Sequence, residues 1–310
     1  MKKEWLKIKA SRLKSGDNIG VCSPSGIVEK KHNLDFKKSE KLLASYNIKT
    51  IYSKKLYAKS LKYSASPKEK SEDLNDLISN VEIKAIIFAK GGSNCNGILP
   101  FIDYDCIKKN PKAFVGFSDN TILLNAIYKK TGLITYHFTN YKGFCEKNII
   151  FNKKQFEKNF IIGNKGIVDK NEEWVSIRKG VATGKLIGGN LASLVKILNT
   201  EYCPSFDNKI LFIEDLSFES CAEDISSYLY QLKNSKVFEK INGLLIGAYD
   251  PKEGYTLEEI VMDVVKEYNF PVLKCNDFGH TATNIVLPIG IKCTLDANKK
   301  YLVYEEQTMK

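Results

Sequence analysis

Residues 113–124 read Ala-Phe-Val-Gly-Phe-Ser-Asp-Asn-Thr-Ile-Leu-Leu, a short apolar run broken at Gly116 and followed, past Ser118 and Asp119, by an apolar segment of helical period. A strand that passes through so tight a turn into a helix is the half-unit of a parallel α/β sheet. It leaves a serine at the carboxyl end of the strand. The first N–H groups of the helix have no intrahelical partner and point toward that serine, where they can hydrogen-bond an oxyanion. This is the physical logic of a nucleophile elbow, but the usual elbow has glycine two residues after the serine, and here that position is Asn120. Ser and Asp are also the ordinary N-cap residues of helices, so the stretch alone does not choose between the two readings.

The same alternation runs along the chain. Strands are expected at 18–22, 48–52 and 84–89, with helices over 28–46, from Pro67 to about 78, and over 119–130. A weaker, more charged stretch over 142–181 reads as a connection. A second α/β unit follows, with strands at 209–213, 244–248 and 271–274 and helices over 191–198, 222–232 and 257–268. The expected fold class is α/β in two domains: an N-terminal doubly wound parallel sheet carrying the elbow over 1–165, a linker to about 181, and a β-rich C-terminal α/β domain over 182–310. Ligands of such sheets bind beyond the carboxyl ends of the strands. Both Ser118 and the loop Lys90-Gly91-Gly92-Ser93-Asn94 lie at that edge.

A net charge of +11 raises the question of nucleic acid, but Arg12 and Arg178 are the only arginines, and lysines spread along the chain beside Glu and Asp describe a solvated surface better than a phosphate-gripping patch. The Gly91-Gly92 loop matches neither nucleotide fingerprint, which leaves a nucleotide-binding protein as the rival class. No segment has the length and apolarity of a membrane span, and the basic N-terminus lacks the apolar core of a leader, so a cytoplasmic protein is expected. Eight scattered cysteines with no C-x-x-C pair fit free thiols rather than a zinc site.

Three histidines are available as a general base. His32 lies in a Lys-rich helix and reads as solvated surface. His137 follows a strand near the same sheet edge and is a candidate to line the site. His280 sits in a Gly-containing loop just after a strand end. Glu214 and Asp215 end a very apolar strand, where a carboxylate can orient a histidine or simply cap the next helix. An N–H of Gly91 or Gly92, with that of Asp119, would make an oxyanion hole beside the elbow.

Taken in order, several motifs carry a resemblance: Leu13-Lys14-Ser15-Gly16-Asp17, Lys90-Gly91-Gly92-Ser93-Asn94, Gly116-Phe117-Ser118-Asp119-Asn120-Thr121, Gly188-Gly189-Asn190-Leu191, Phe212-Ile213-Glu214-Asp215, Gly279-His280-Thr281 and Leu287-Pro288-Ile289-Gly290. Together they resemble the LD-carboxypeptidase and microcin C self-immunity (MccF-like) family of serine peptidases, over nearly the whole chain. The resemblance implies a triad of Ser118, Glu214 and His280 between two domains, often in a homodimer, with no metal or cofactor and a small peptide-like substrate. It implies L,D-muropeptide cleavage as the leading activity and cleavage of an aminoacyl-nucleotide amide as the alternative. The murein-processing branch typically has Arg-Gly-Gly-Tyr-Gly where this chain has Lys90-Gly91-Gly92-Ser93-Asn94. Ser93, Asn94 and His137 are expected at the substrate, and Trp174 is the candidate for the aromatic that stacks on adenine in the microcin branch.

Overall fold

Each long apolar run of the first half becomes a strand of one sheet. The computed structural model describes residues 7–61, 63–145, 148–250, 254–281 and 283–310. Residues 1–6, which hold most of the basic N-terminus, lie outside them. In chain order the strands are β1 (Asn18–Cys22), β2 (Lys49–Tyr52), β3 (Ile83–Phe88), β4 (Ala113–Gly116) and β5 (Thr135–His137), then β6 (Gly166–Ile167), β7 (Val175–Arg178), β8 (Val181–Asn190), β9 (Lys209–Glu214), β10 (Gly243–Ile246), β11 (Val272–Lys274), β12 (Leu287–Ile289), β13 (Lys292–Asp296) and β14 (Tyr301–Tyr304). The helices are α1 (Asn33–Ala44), α2 (Pro67–Ser79), α3 (Tyr104–Lys109), α4 (Thr121–Thr131), α5 (Ile149–Phe156), α6 (Leu191–Val195), α7 (Ala222–Asn234) and α8 (Leu257–Val265).

The fold is a two-domain α/β arrangement. The first sheet has the order β12-β5-β4-β3-β1-β2, with β1 to β5 mutually parallel and β12 antiparallel at the edge. Its central strand β3 shows why apolar runs are needed: Ile86 and Phe88 enter the core on one face while Ala85 and Ile87 enter the core on the other. Pro67 opens α2 as expected, because Ser66 caps the helix and exchanges a capping box with Glu69. The second sheet runs β6-β14-β13-β8-β9-β10-β11-β7, with β8 to β11 parallel at its centre.

Two expectations are corrected. The stretch over 142–181 is no plain connection: it forms α5, a π-helical turn Glu157–Ile162, and the strands β6 and β7 that edge the second sheet. These elements are short and packed against others, so their own periodicity is weak. His32 is buried rather than solvated; it ends a 3₁₀ turn ahead of α1 and its Nδ1 accepts from the Glu29 N–H at 2.9 Å. The strand β12 returns to the first sheet and pairs with β5, so the chain crosses between sheets a second time before β13 and β14.

The two sheets are tied together where α4 meets the end of β8. The Asn190 N–H donates to Thr121 Oγ1 at 2.9 Å, and Asn125 Nδ2 donates to the Gly188 carbonyl at 2.9 Å. Gly188 has φ 134°, and a Cβ there would overlap the Phe212 carbonyl oxygen of β9. Gly188→Ala is therefore expected to destabilise the protein by about 3 kcal/mol, through backbone strain and steric overlap. Chemical denaturation read by fluorescence checks it; an unchanged midpoint would mean that this close approach is not needed.

Candidate active site

Ser118 is the first residue after a buried strand and its turn, and its backbone is in the left-handed region with φ 63°. A non-glycine residue held there costs about 1–3 kcal/mol and persists only where its surroundings enforce it. They do so here. Asn120, which stands where an elbow usually has glycine, is fully buried, and its Nδ2 donates to the Lys90 and Phe117 carbonyls and to Asn140 Oδ1. Asn140 Oδ1 also accepts from the Phe117 N–H at 3.0 Å. The departure from the elbow pattern thus supplies a brace beneath the turn.

The Asp119 carboxylate is buried and structural. It accepts from Ser25 Oγ after β1, from the Cys95 N–H at 2.8 Å, and from Lys196 Nζ beyond α6 at 3.0 Å. The loops after β1 and β3 and the second domain are so fastened to the residue that follows Ser118. Gly91 lies directly against the serine: a Cβ there would sit 2.8 Å from Ser118 Oγ and 3.7 Å from the Asp119 nitrogen. Gly26 N–H donates to the Gly91 carbonyl at 3.1 Å, which orients the Gly91–Gly92 turn.

From the second domain come the other two groups. Glu214 ends β9 and is fully buried, and His280 stands in the loop after β11. His280 Nδ1 lies 2.8 Å from Glu214 Oε2, and its Nε2 lies 3.0 Å from Ser118 Oγ. The Phe117 ring packs on the imidazole with centroids 4.3 Å apart. With Nδ1–H donated to the carboxylate, Nε2 is left to accept from the serine hydroxyl. Burial alone would lower His280, but the Glu214 charge and hydrogen bond more than offset it, and Glu219 and Asp215 add to them, so the imidazole titrates above its ordinary 6.5. Burial alone would raise Glu214; His280 and His137 hold it below its usual range. Asp215 faces the other way, accepting from the Ala192 and Leu216 N–H groups and Ser220 Oγ, and burial together with Glu214 pushes it up to about 6.

Ser118, His280 and the Gly91–Gly92 turn open into a cleft of about 340 Å³ between the domains. Lys90, Thr139 and Lys142 are on its first-domain wall, and Glu219 and Thr283 on its second-domain wall. The Thr139 and Thr283 hydroxyls are buried with no hydrogen-bond partner among the described residues. None of these five side chains stands in a motif with a chemistry of its own. Lys90 alone had a signal, its place beside Gly91. Among the described residues no group of three or more His, Cys, Asp and Glu side chains could hold a metal ion, and no helix is long and apolar enough to cross a membrane.

The remaining candidates lie elsewhere. Trp174 is 0% exposed and donates Nε1–H to Asp277 at 2.7 Å; Asp277 also accepts from the Asn171 and Glu172 N–H groups, so the indole anchors this segment in the core and cannot stack on a ligand. Asn94 is turned away from the cleft, its Oδ1 accepting from buried Lys70 Nζ at 2.9 Å, and Ser93 points its carbonyl at Lys196. His137 is fully buried among Phe117, Phe212 and Phe278, with neither ring nitrogen hydrogen-bonded among the described residues. Burial lowers it to about 4, against the partial pull of Glu214. It is a neutral packing ring behind the relay, not a wall of the cleft.

Comparison with known proteins gives the family. The LD-carboxypeptidase N-terminal domain family matches residues 19–138, and the LD-carboxypeptidase C-terminal domain family matches residues 183–295. The chain belongs to the LD-carboxypeptidase family, and it is a peptidase of the serine carboxypeptidase type. It is 31% identical to the microcin C7 self-immunity protein MccF of Escherichia coli, over 96% of this chain and 96% of that protein. It is 28% identical to a probable murein peptide carboxypeptidase of Bacillus subtilis (strain 168), over 97% and 95% respectively. The solved structure of MccF in complex with aspartyl sulfamoyl adenosine superposes with a TM-score of 0.89 at 28% identity, covering 98% of this chain and 100% of that one.

Two outcomes follow from the packing. Gly91→Ala is expected to lower kcat/KM about 100-fold or more with little change in melting temperature, because its methyl occupies the space at Ser118 Oγ; steady-state kinetics on folded variant checks it. His137 must stay neutral in the folded protein, so its contribution is whole above pH 6.5 and is lost as pH falls toward 4, by an amount on the order of 3 kcal/mol. His137→Phe should flatten that acid limb in a series of denaturation curves from pH 7 to 4. An identical pH dependence in wild type and variant would refute the assignment.

Proposed function

We propose that this protein hydrolyses a small peptide-like amide with Ser118 as nucleophile, His280 as general base and acid, and Glu214 as the carboxylate that orients His280. The observation that carries the reading is the unbroken chain of contacts from Glu214 through His280 to Ser118 Oγ, at 2.8 and 3.0 Å, on a serine held at φ 63°. As Oγ attacks the amide carbon, its proton passes to His280 Nε2, and Glu214 stabilises the imidazolium. The oxyanion is received by the Asp119 N–H and an N–H of the Gly91–Gly92 turn. The C–N bond then breaks, His280 returns the proton to the leaving amine, and an acyl ester remains on Ser118. Water, deprotonated by His280, attacks that ester and releases the acid, restoring the serine.

The leading substrate is a muropeptide tetrapeptide, from which the terminal D-amino acid leaves across an L,D bond; the family and the relative named as a murein peptide carboxypeptidase support it. A second reading, an aminoacyl-nucleotide amide, is supported by the likeness to MccF and its complex with aspartyl sulfamoyl adenosine. The burial of Trp174 weighs against it, because that indole offers no stacking face. We read the protein as cytoplasmic and homodimeric, as expected for this family.

Mass spectrometry of a tetrapeptide and of an aminoacyl sulfamoyl adenosine, each incubated with wild type and Ser118→Ala, separates the readings. Release of the terminal D-amino acid by wild type and a loss of at least about 10³-fold in the variant are expected. Because the base must be neutral, kcat/KM should rise with pH to a plateau through a midpoint above 6.5. Near-normal turnover by Ser118→Ala would sink the mechanism.

A further inference from the structure

Three successive residues beyond the Gly91–Gly92 turn are each fastened by a different part of the molecule. The Ser93 carbonyl accepts from Lys196 Nζ of the second domain at 3.1 Å, Asn94 Oδ1 accepts from Lys70 Nζ of α2 at 2.9 Å, and the Cys95 N–H donates to Asp119 at 2.8 Å. On its other side the turn is pressed against Ser25 and Gly26, after β1. The Gly26 N–H donates to the Gly91 carbonyl, and a Cβ on Gly92 would overlap Ser25 Oγ and the Gly26 nitrogen. Lys70 reaches this side as well, because its Nζ also donates to the Ser25 carbonyl. The loops after β1 and β3 are therefore tied together twice, by Asp119 through Ser25 Oγ and Cys95, and by Lys70 through the Ser25 carbonyl and Asn94.

A lysine is a costly way to make the second tie. Lys70 is 6% exposed, on the face of α2 that also buries Leu74, Leu77 and Ile78. It ends the first turn of that helix, where the dipole disfavours a cation, and both of its acceptors are neutral oxygens. Burial lowers its pKa, against the partial pull of the Cys95 thiol and the Asp119 carboxylate. An apolar side chain of similar length would fill the space without that cost. Resting on the hydrolase reading above, we propose that Lys70 is a positioning residue of the oxyanion site, fixing the Gly91–Gly92 turn from both sides so that one of its N–H groups meets the oxyanion. Lys70 acts through Ser25 and Asn94 and does not line the cleft, so it makes no contact with substrate. Its charge strengthens both hydrogen bonds. The turn has little latitude, since a Cβ on Gly91 would already sit 2.8 Å from Ser118 Oγ, and a small displacement carries the donor out of reach.

The test needs no substrate. A biotinylated alkyl fluorophosphonate places its phosphoryl oxygen where the oxyanion forms, while Ser118 Oγ bonds phosphorus, His280 takes the proton and fluoride leaves. The labelling rate of Ser118 is measured for wild type, Lys70→Met and Lys70→Arg, each shown to be folded by its melting curve. Lys70→Met is expected to react about 30-fold or more slowly. Lys70→Arg keeps a cation and its donors and should stay within about fivefold of wild type. In the completed adducts, the Gly91 or Gly92 amide proton that donates to the phosphoryl oxygen should lie downfield in the NMR spectrum of wild type and move back in Lys70→Met. If Lys70→Met does not fold, Asn94→Ala takes its place, removing one acceptor and leaving the lysine; it is expected to lose about tenfold. Wild type that is not labelled on Ser118 overturns the hydrolase reading and this inference with it. Wild type labelled on Ser118 with an equal rate in folded Lys70→Met, or in Asn94→Ala where that variant replaces it, overturns this inference alone. So does a Lys70→Arg rate as low as that of Lys70→Met, or an amide proton that does not move between the two adducts.

Discussion

The placement of Ser118 depends on a buried carboxylate that does no chemistry. Asp119 accepts from the loop after β1, from the loop after β3 and from Lys196 of the second domain, and all three contacts converge one residue beyond the serine. A buried charge is tolerated only when its partners are this complete. The same contacts orient the Asp119 N–H, hold Ser118 at φ 63°, and draw the second domain onto the first. Asn190 and Asn125 extend that attachment along α4 to the end of β8. The proposed base and its carboxylate come from the second domain, so the relay to Ser118 exists only because this junction is closed.

Electrostatics at the junction are arranged in layers. Glu214 is fully buried, yet it stays below its usual range because an imidazole lies against it. His280 gains in proton affinity from the same contact. Behind them His137 remains neutral among aromatic rings and fills space without competing for the proton. Of two carboxylates adjacent in sequence, one faces the histidine and the other caps α6 and shapes the turn that carries Glu219.

Much of this was legible in residue order. Strong apolar runs such as Ile83–Phe88 must be buried on both faces, and that demand alone implies a parallel sheet with a site at its carboxyl edge. The Gly91–Gly92 turn stood out because close approach to Ser118 and Gly26 leaves no room for a Cβ, and the Ser118 elbow because a buried strand runs almost directly into a helix. Other features had no local signature. A single tryptophan reads alike as ligand platform or core, and only Asp277, about a hundred residues away, decides for the core. Asn94 is claimed by Lys70, a partner on another helix. Glu219, Lys142 and the return of Leu287–Ile289 to the first sheet depend on how the chain folds back, which periodicity does not carry.

The proposed relay activates one serine through a histidine and a glutamate supplied across the domain junction. Labelling with a fluorophosphonate tests it without any need to know the substrate, since the reagent phosphonylates an activated serine. Intact mass and peptide mapping should find a single adduct on Ser118 in wild type, with the labelling rate about 10³-fold lower in folded Glu214→Gln and His280→Ala. An adduct on another residue, or equal labelling rates in wild type and His280→Ala, would contradict the account.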